Sequence, residues 1–248
     1  GPSLYNAKRE RHPSVHCFPS SVDARHFARA AQDHPLQAQL PRPRLGWCGV
    51  IDERVDLALV ATLADARPGW QVVMVGPIVK IDPGSVPRRE NIHWLGQQSY
   101  DDLPEFISGW DVCLLPFALN EATKFISPTK TLEYMACGRS AVSTPIRDVV
   151  EPYSQVVSIA ATPEDFVLAC EAVLGRSERE RACHAQALAE VVACTSWETT
   201  AQAMAALIER TDTRRRNDPH PEAIPSMNAS SRWRTASCTA SCTAPGGW

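Results

Sequence analysis

Residues Arg44–Gly76 read RLGWCGVIDERVDLALVATLADARPGWQVVMVG, and two hydrophobic periods follow one another within this stretch. RLGWCGVI has the short apolar run and glycine boundary of a strand. A helix is predicted from Glu53 to Ala66, because Val55, Leu59, Leu63 and Ala66 recur on one face. WQVVMVG is then a continuous apolar run, the form a strand takes when both faces of a parallel sheet are covered. Strand, helix and strand in this order make a βαβ unit.

The alternation continues downstream. NIHWLG reads as a shorter strand, Tyr100–Ser108 as a helix, and DVCLLPF as another buried strand. A helix within Ser127–Gly138 follows, then the strands SAVST and VVSIA. Helices close the series at Glu164–Leu174, Ser177–Ala193 and Trp197–Glu209, the last with Trp197, Ala201, Met204 and Ile208 on one face. The fold class expected is α/β, a doubly wound parallel sheet over residues 44–210. Residues 1–43 hold VHCFPSSVDARHF, read as a short strand and a turn, then a polar segment up to PRPR. They are too few for a domain and read as the remnant of a preceding one plus a linker. Residues 211–248 combine charge, Pro, Ser and a TASC repeat without periodicity, and are expected to be disordered.

Composition narrows the function class. With 248 residues, 44% hydrophobic and 21% charged, the chain is typical of globular proteins. A net charge of −3 gives no broad basic surface for nucleic acid. No apolar run approaches a membrane span, and no signal peptide is evident, so a cytoplasmic location is expected. Of nine cysteines, Cys48, Cys113 and Cys170 fall in apolar patterns and read as small buried hydrophobes. No CxxC or HExxH occurs and the seven histidines are scattered, so no metal site is assigned.

In open α/β sheets ligands bind at the carboxyl ends of the strands. The loops there are Gly49–Arg54, Gly76–Lys80, Gly96–Ser99, Pro116–Ile126 and Thr144–Asp148. FISPTKTLEYMACG, Phe125–Gly138, links the fourth loop to the next strand. Ser127 is the expected N-cap and Pro128 the first helical residue, with Gly138 closing the helix. Lys130 in the first turn opposes the helix dipole, so stability does not explain it, but an anion seated at the helix start does. Arg54 lies at the corresponding start of the first helix, and two cations on one rim suggest a diphosphate. The alternative for Arg54 is a locally paired charge, with Asp52, Glu53 and Asp56 adjacent. Glu133, one turn beyond Lys130, suits the vicinal hydroxyls of a ribose; the alternative is a surface pair with Lys130.

At the level of whole motifs, SPTKTLEYMACGRSAVST resembles the donor-site signature of two-domain GT-B glycosyltransferases. GVIDERVDL, VGPIVKIDP, LPFALNEATKFISPTKTLEYMACG and STPIRDVV are similar to bacterial enzymes of the teichuronic-acid and exopolysaccharide type. The likeness runs from about Val15 to Ile208. It implies a Rossmann-like C-terminal domain that binds a nucleoside diphosphate sugar, such as a UDP-sugar, as a substrate, with no cofactor. By the same resemblance Glu133 would hold the ribose, and Lys130 and Arg54 would face the diphosphate and stabilise the leaving group. Gly49 would let the backbone approach closely, while the loops after Gly76 and Gly96 would hold the base. Ser127, Thr129 and Thr131 would complete the donor contacts. Relatives carry a second glutamate seven residues before the ribose one; here that position is Phe125, and Glu121 is the substitute on a longer loop. Transfer would retain anomeric configuration. A glycan or lipid-linked acceptor would bind the N-terminal domain, so this chain is expected to be inactive alone. The full-length enzyme would touch the inner face of the cell membrane.

Three rivals remain. An NAD-dependent oxidoreductase lacks its G-x-G-x-x-G after the first strand. A GT-B epimerase lacks an acid/base pair, and the third is a non-catalytic or vestigial nucleotide-binding domain.

Overall fold

The computed structural model describes residues 1–29 and 32–217. Six strands form one sheet: β1 (Arg44–Cys48), β2 (Gln71–Val75), β3 (Ile92–Gly96), β4 (Val112–Leu115), β5 (Ala141–Ser143) and β6 (Ser158–Ile159). Their order is β3-β2-β1-β4-β5-β6 and every pairing is parallel. The sheet is therefore the doubly wound, Rossmann-like one expected. β1 to β3 step outward one way and β4 to β6 the other, which puts the topological switch point between β1 and β4. All residues of β1, β2 and β4 are buried, as continuous apolar runs require. Gly46 in β1 makes room for Trp110, since a Cβ there would lie 1.8 Å from Trp110 Cδ2. Cys48, Cys113 and Cys170 are buried in the core.

Ten α-helices are described, in chain order. The leading segment carries α1 (Pro2–Lys8), α2 (Ala24–Phe27) and α3 (Pro35–Ala38). The crossovers are α4 (Leu57–Ala66), α5 (Leu103–Ser108), α6 (Lys130–Ala136) and α7 (Arg147–Tyr153). The closing helices are α8 (Pro163–Leu174), α9 (Glu178–Ala193) and α10 (Trp197–Asn217). Contacts divide the chain into units Gly1–Ala206 and Leu207–Trp248. The tail expected to be disordered from 211 is helical as far as Asn217, where α10 ends, and its remainder, 218–248, lies outside the described residues.

Several local readings need correction. α4 begins at Leu57 rather than Glu53, because Asp56 caps it by accepting from Leu59 N at 2.8 Å. Asp52 accepts from Arg54 N at 3.0 Å, which folds the preceding residues into a turn. α6 begins at Lys130 with Thr129 at its N-cap, so Ser127 does not cap it and Pro128 precedes it. VHCFPSS forms no strand, and the single-turn helices α2 and α3 follow it, capped by Asp23 and His34. α7, with Pro152 inside it, was not anticipated. Trp197 and Met204 on α10 are exposed at 50% and 41% rather than packed.

The leading segment is built into the sheet domain. Gln37 on α3 is fully buried; it accepts from Trp110 Nε1 at 2.9 Å and donates to Phe106 O at 2.9 Å. Asp33 pairs with buried Arg44 at 2.5 Å.

Candidate functional site

The carboxyl ends of β1, β2 and β3 meet at three glycines with positive φ. Gly49 (φ 142°) donates its N–H to Val75 O at 2.8 Å. The side chain of Lys130 lies directly over it, because a Cβ on Gly49 would sit 2.0 Å from Lys130 Cε and 2.6 Å from Nζ. Gly76 (φ 143°) supports Gly49 from behind: a Cβ there would lie 1.9 Å from the Gly49 carbonyl oxygen. Gly76 N in turn donates to Gly96 O at 2.7 Å. Only glycine fits the first two positions, by backbone angle and by space.

Lys130 Nζ stands 5.2 Å from the centre of the Trp47 ring, within reach of a cation–π attraction. Trp47 is buried and meets Phe117 edge-to-face at 5.2 Å. No carboxylate forms an ion pair with Lys130 among the described residues, Glu133 included. Beside it opens a cavity of about 270 Å³, lined by Trp47, Arg54, Phe117, Ser127, Thr129 and Lys130 among others. That is just below the ~300–1,000 Å³ typical of sites enclosing a whole ligand. It suits one part of a larger molecule.

Arg54 reaches this cavity already paired. Its Nε lies 2.9 and 3.1 Å from the two Asp52 oxygens, and Nη2 lies 2.7 Å from Oδ2. Burial works to raise the Asp52 pKa, but Arg54's hydrogen bonds and charge, with Lys80 behind, bring it below the usual carboxylate range. The same hydrogen bonds raise the Arg54 pKa. The pair uses Nε and Nη2, so the guanidinium is held in one orientation with its charge partly offset.

Glu133 is half-buried. Burial pushes its carboxyl pKa up, against the charge of Lys130, a hydrogen bond with Thr129 and the nearby His26. Tyr100, also raised by burial, feels the charge of Glu133. His26 on α2 stacks on Tyr100 at 4.2 Å and 9° between planes. The remaining expected residues separate. Ser127 lines the cavity, and its hydroxyl is close to Gly1 and Asp148. Thr131, expected to touch donor, is fully buried with its hydroxyl enclosed and unpartnered. Glu121 is 89% exposed and pairs with Lys124 at 3.3 Å, away from the residues that line the cavity.

Residues 42–176, more than half of the chain, match the model of the family described as Glycosyl transferases group 1. The chain belongs to that family. A relative in Bacillus subtilis (strain 168), TuaH, is named as a teichuronic acid biosynthesis glycosyltransferase. It is 26% identical over 174 residues, which cover 67% of this chain and 44% of TuaH. Among solved structures, Alr3699/HepE of Anabaena in complex with UDP and glucose superposes with a TM-score of 0.61. Its identity is 14%, over 77% of this chain and 55% of that one. Sucrose-phosphate synthase from Thermosynechococcus elongatus gives 0.65 at 18% identity, over 86% and 57%. The chain thus spans roughly half of each relative.

Within this glycosyltransferase domain, sequence reasoning missed Trp47, Phe117, His26 and Tyr100. Trp47 and Phe117 lie within apolar strand runs that carry no binding signal, and His26 comes from the leading segment. A larger cavity of about 400 Å³ opens at the opposite, amino ends of β4 and β5. Its arginines are engaged: Arg139 donates to Ser108 O, and Arg181 to Arg176 O and Leu174 O.

Proposed function

We propose that this domain binds a nucleoside diphosphate sugar and serves its transfer to a cell-envelope or exopolysaccharide acceptor. The observation that carries the reading is Lys130, unpaired by any carboxylate among the described residues and laid over the side-chain-free backbone of Gly49. A cation held there without a counterion suits an anionic ligand at the switch point. Glu133, three residues on, takes the ribose hydroxyls in this reading. Arg54, held in orientation by Asp52, faces the same phosphates. The glycine ends of β1 to β3 let the ligand approach the backbone.

In the proposed reaction the bond from the sugar's anomeric carbon to the donor phosphate breaks. Its electron pair stays on the departing nucleoside diphosphate, where Lys130 and Arg54 offset the growing charge. The acceptor hydroxyl forms the new bond on the same face, with retention, and its proton passes to a donor phosphate oxygen. The donor is a substrate, and the reading calls for no cofactor. Binding of the glycan or lipid-linked acceptor, and contact with a cytoplasmic membrane surface, are assigned to the part of its relatives that this chain does not span.

Calorimetric titration with UDP, GDP and dTDP tests the reading. One of them is expected to saturate the site. Lys130→Ala should weaken that diphosphate about 10- to 150-fold, the ~1.5–3 kcal/mol of a charged hydrogen bond, and leave the nucleoside unaffected. A folded sample that binds none of the three would overturn the proposal, as would equal weakening of nucleoside and diphosphate.

A further inference from the structure

Lys130 is held in place without the acidic partner that usually fixes a lysine. Its side chain lies over Gly49, where a Cβ would come 2.0 Å from Cε and 2.6 Å from Nζ. What stands against the ammonium instead is the Trp47 ring, with Nζ 5.2 Å from the ring centre. That ring is itself firmly set. Trp47 lies in β1 in register with Met74 of β2 and is only 1% exposed. Phe117 meets it edge-to-face at 5.2 Å and 84°, and Phe117 is tied to Val55 by an antiparallel bridge.

Two features separate Trp47 from an ordinary core residue. Its indole N–H is buried and has no acceptor among the described residues. Leaving a buried donor unpaired costs stability, and phenylalanine in the same place would avoid that cost. Other indoles of this domain are served: Trp110 Nε1 donates to Gln37 and Trp94 Nε1 to Pro87 O. The ring of Trp47 is therefore the part with a use. The second feature is its position, in the wall of the cavity that Arg54 and Lys130 also line. Arg54 shows the other way to fix a cation there, since Asp52 orients it but offsets its charge. An aromatic face attracts an ammonium through its quadrupole and carries no net charge. It can hold a cation and leave the charge whole.

Resting on the donor-site reading above, we propose that Trp47 is a positioning residue, its indole face holding the Lys130 ammonium over Gly49 before the donor arrives. The phosphates then meet a cation that is already placed and not neutralised. A lysine stem is long and flexible, and an ammonium free to sweep the loop would lose that freedom on binding. Trp47 removes most of that loss in advance, acting through Lys130 rather than by touching the ligand.

A double-mutant cycle tests this, with UDP, GDP and dTDP and their nucleosides titrated into wild type, Trp47→Leu, Lys130→Ala and the double variant. For the diphosphate that binds, Trp47→Leu should raise Kd about 2- to 30-fold, the ~0.5–2 kcal/mol of a cation–π contact, and leave the nucleoside unchanged. Trp47→Phe, with a weaker face, should fall between. In the Lys130→Ala background Trp47→Leu should matter by less than about twofold. By NMR of the free wild type, the Lys130 CεH₂ protons should lie upfield of those of the other lysines and return in Trp47→Leu. An equal effect of Trp47→Leu in both backgrounds would overturn the role, as would unshifted CεH₂ protons in the wild type. Wild-type affinity in a folded Trp47→Leu, with binding still weakened in Lys130→Ala, would overturn it and leave the donor site standing. If Trp47→Leu does not fold, the cycle built on Trp47→Phe decides by the same criteria. No diphosphate binding by the wild type would overturn both readings.

Discussion

Glu133 lies where a carboxylate is costly. Burial raises its pKa above the unfolded value, so the folded chain holds this proton more tightly than the unfolded one. The fold therefore gains stability from Glu133 as pH falls through the raised pKa and loses it as pH rises. Glu133→Gln removes the titration, and is expected to melt above wild type at pH 7 and level with it near pH 4. Thermal melts across that range read the difference directly; a Gln variant less stable at pH 7 would contradict it. The same substitution should weaken binding of ribonucleotides, since a neutral amide accepts hydroxyl hydrogen bonds less strongly. Residues that cost stability in the free protein are common at binding sites. Lys130, over Gly49 and without a carboxylate partner among the described residues, fits the same pattern at the other end of the proposed donor.

Elements here are fixed by close fits between neighbours. Gly46 leaves the space that Trp110 fills, so Gly46→Ala forces β1 and the α5–β4 turn apart. A loss of roughly 1–3 kcal/mol is expected, as for other overpacked cores, and urea denaturation measures it. Nucleotide affinity should hold, because the clash faces the core and not the cleft. The strands were legible from sequence because a parallel sheet covered on both faces needs long apolar runs, and WQVVMVG and DVCLLPF are such runs. α7 was not, since seven residues with Pro152 among them carry no helical period. α2 and α3 are single turns held by Asp23 and His34 caps and by tertiary contacts, which a periodicity search passes over. The start of α4 was misplaced because Val55 is apolar in register with Leu59, yet it pairs with Phe117 in an isolated bridge outside the helix.

Across the whole molecule, the segment before β1 is held by buried polar contacts. Gln37 serves Trp110 and the last turn of α5 at once, and Asp33 neutralises Arg44 at the root of β1. Gln37→Leu leaves the Trp110 indole N–H buried without its acceptor. A loss of about 1–3 kcal/mol in denaturant melts is expected, with the sheet otherwise intact. The candidate site was legible to a similar, partial degree. Gly49 follows β1, and Lys130 and Glu133 sit at the start of α6, at the same end of the sheet, so the order of strands brings them together. His26 and Tyr100 meet only through packing between distant segments, and no spacing rule announces that.

The strand order also bears on how the chain is made. β1 is central, yet it is synthesised before the other five strands of this sheet. It can pair with β2 once Val75 has emerged, but its other edge waits for Val112–Leu115. At ~5–20 residues per second, that edge, with Leu45 and Trp47 beside it, stays open for seconds. For that interval the nascent chain carries an unpaired apolar border, and a chaperone or a neighbouring polysome has its best chance to find it.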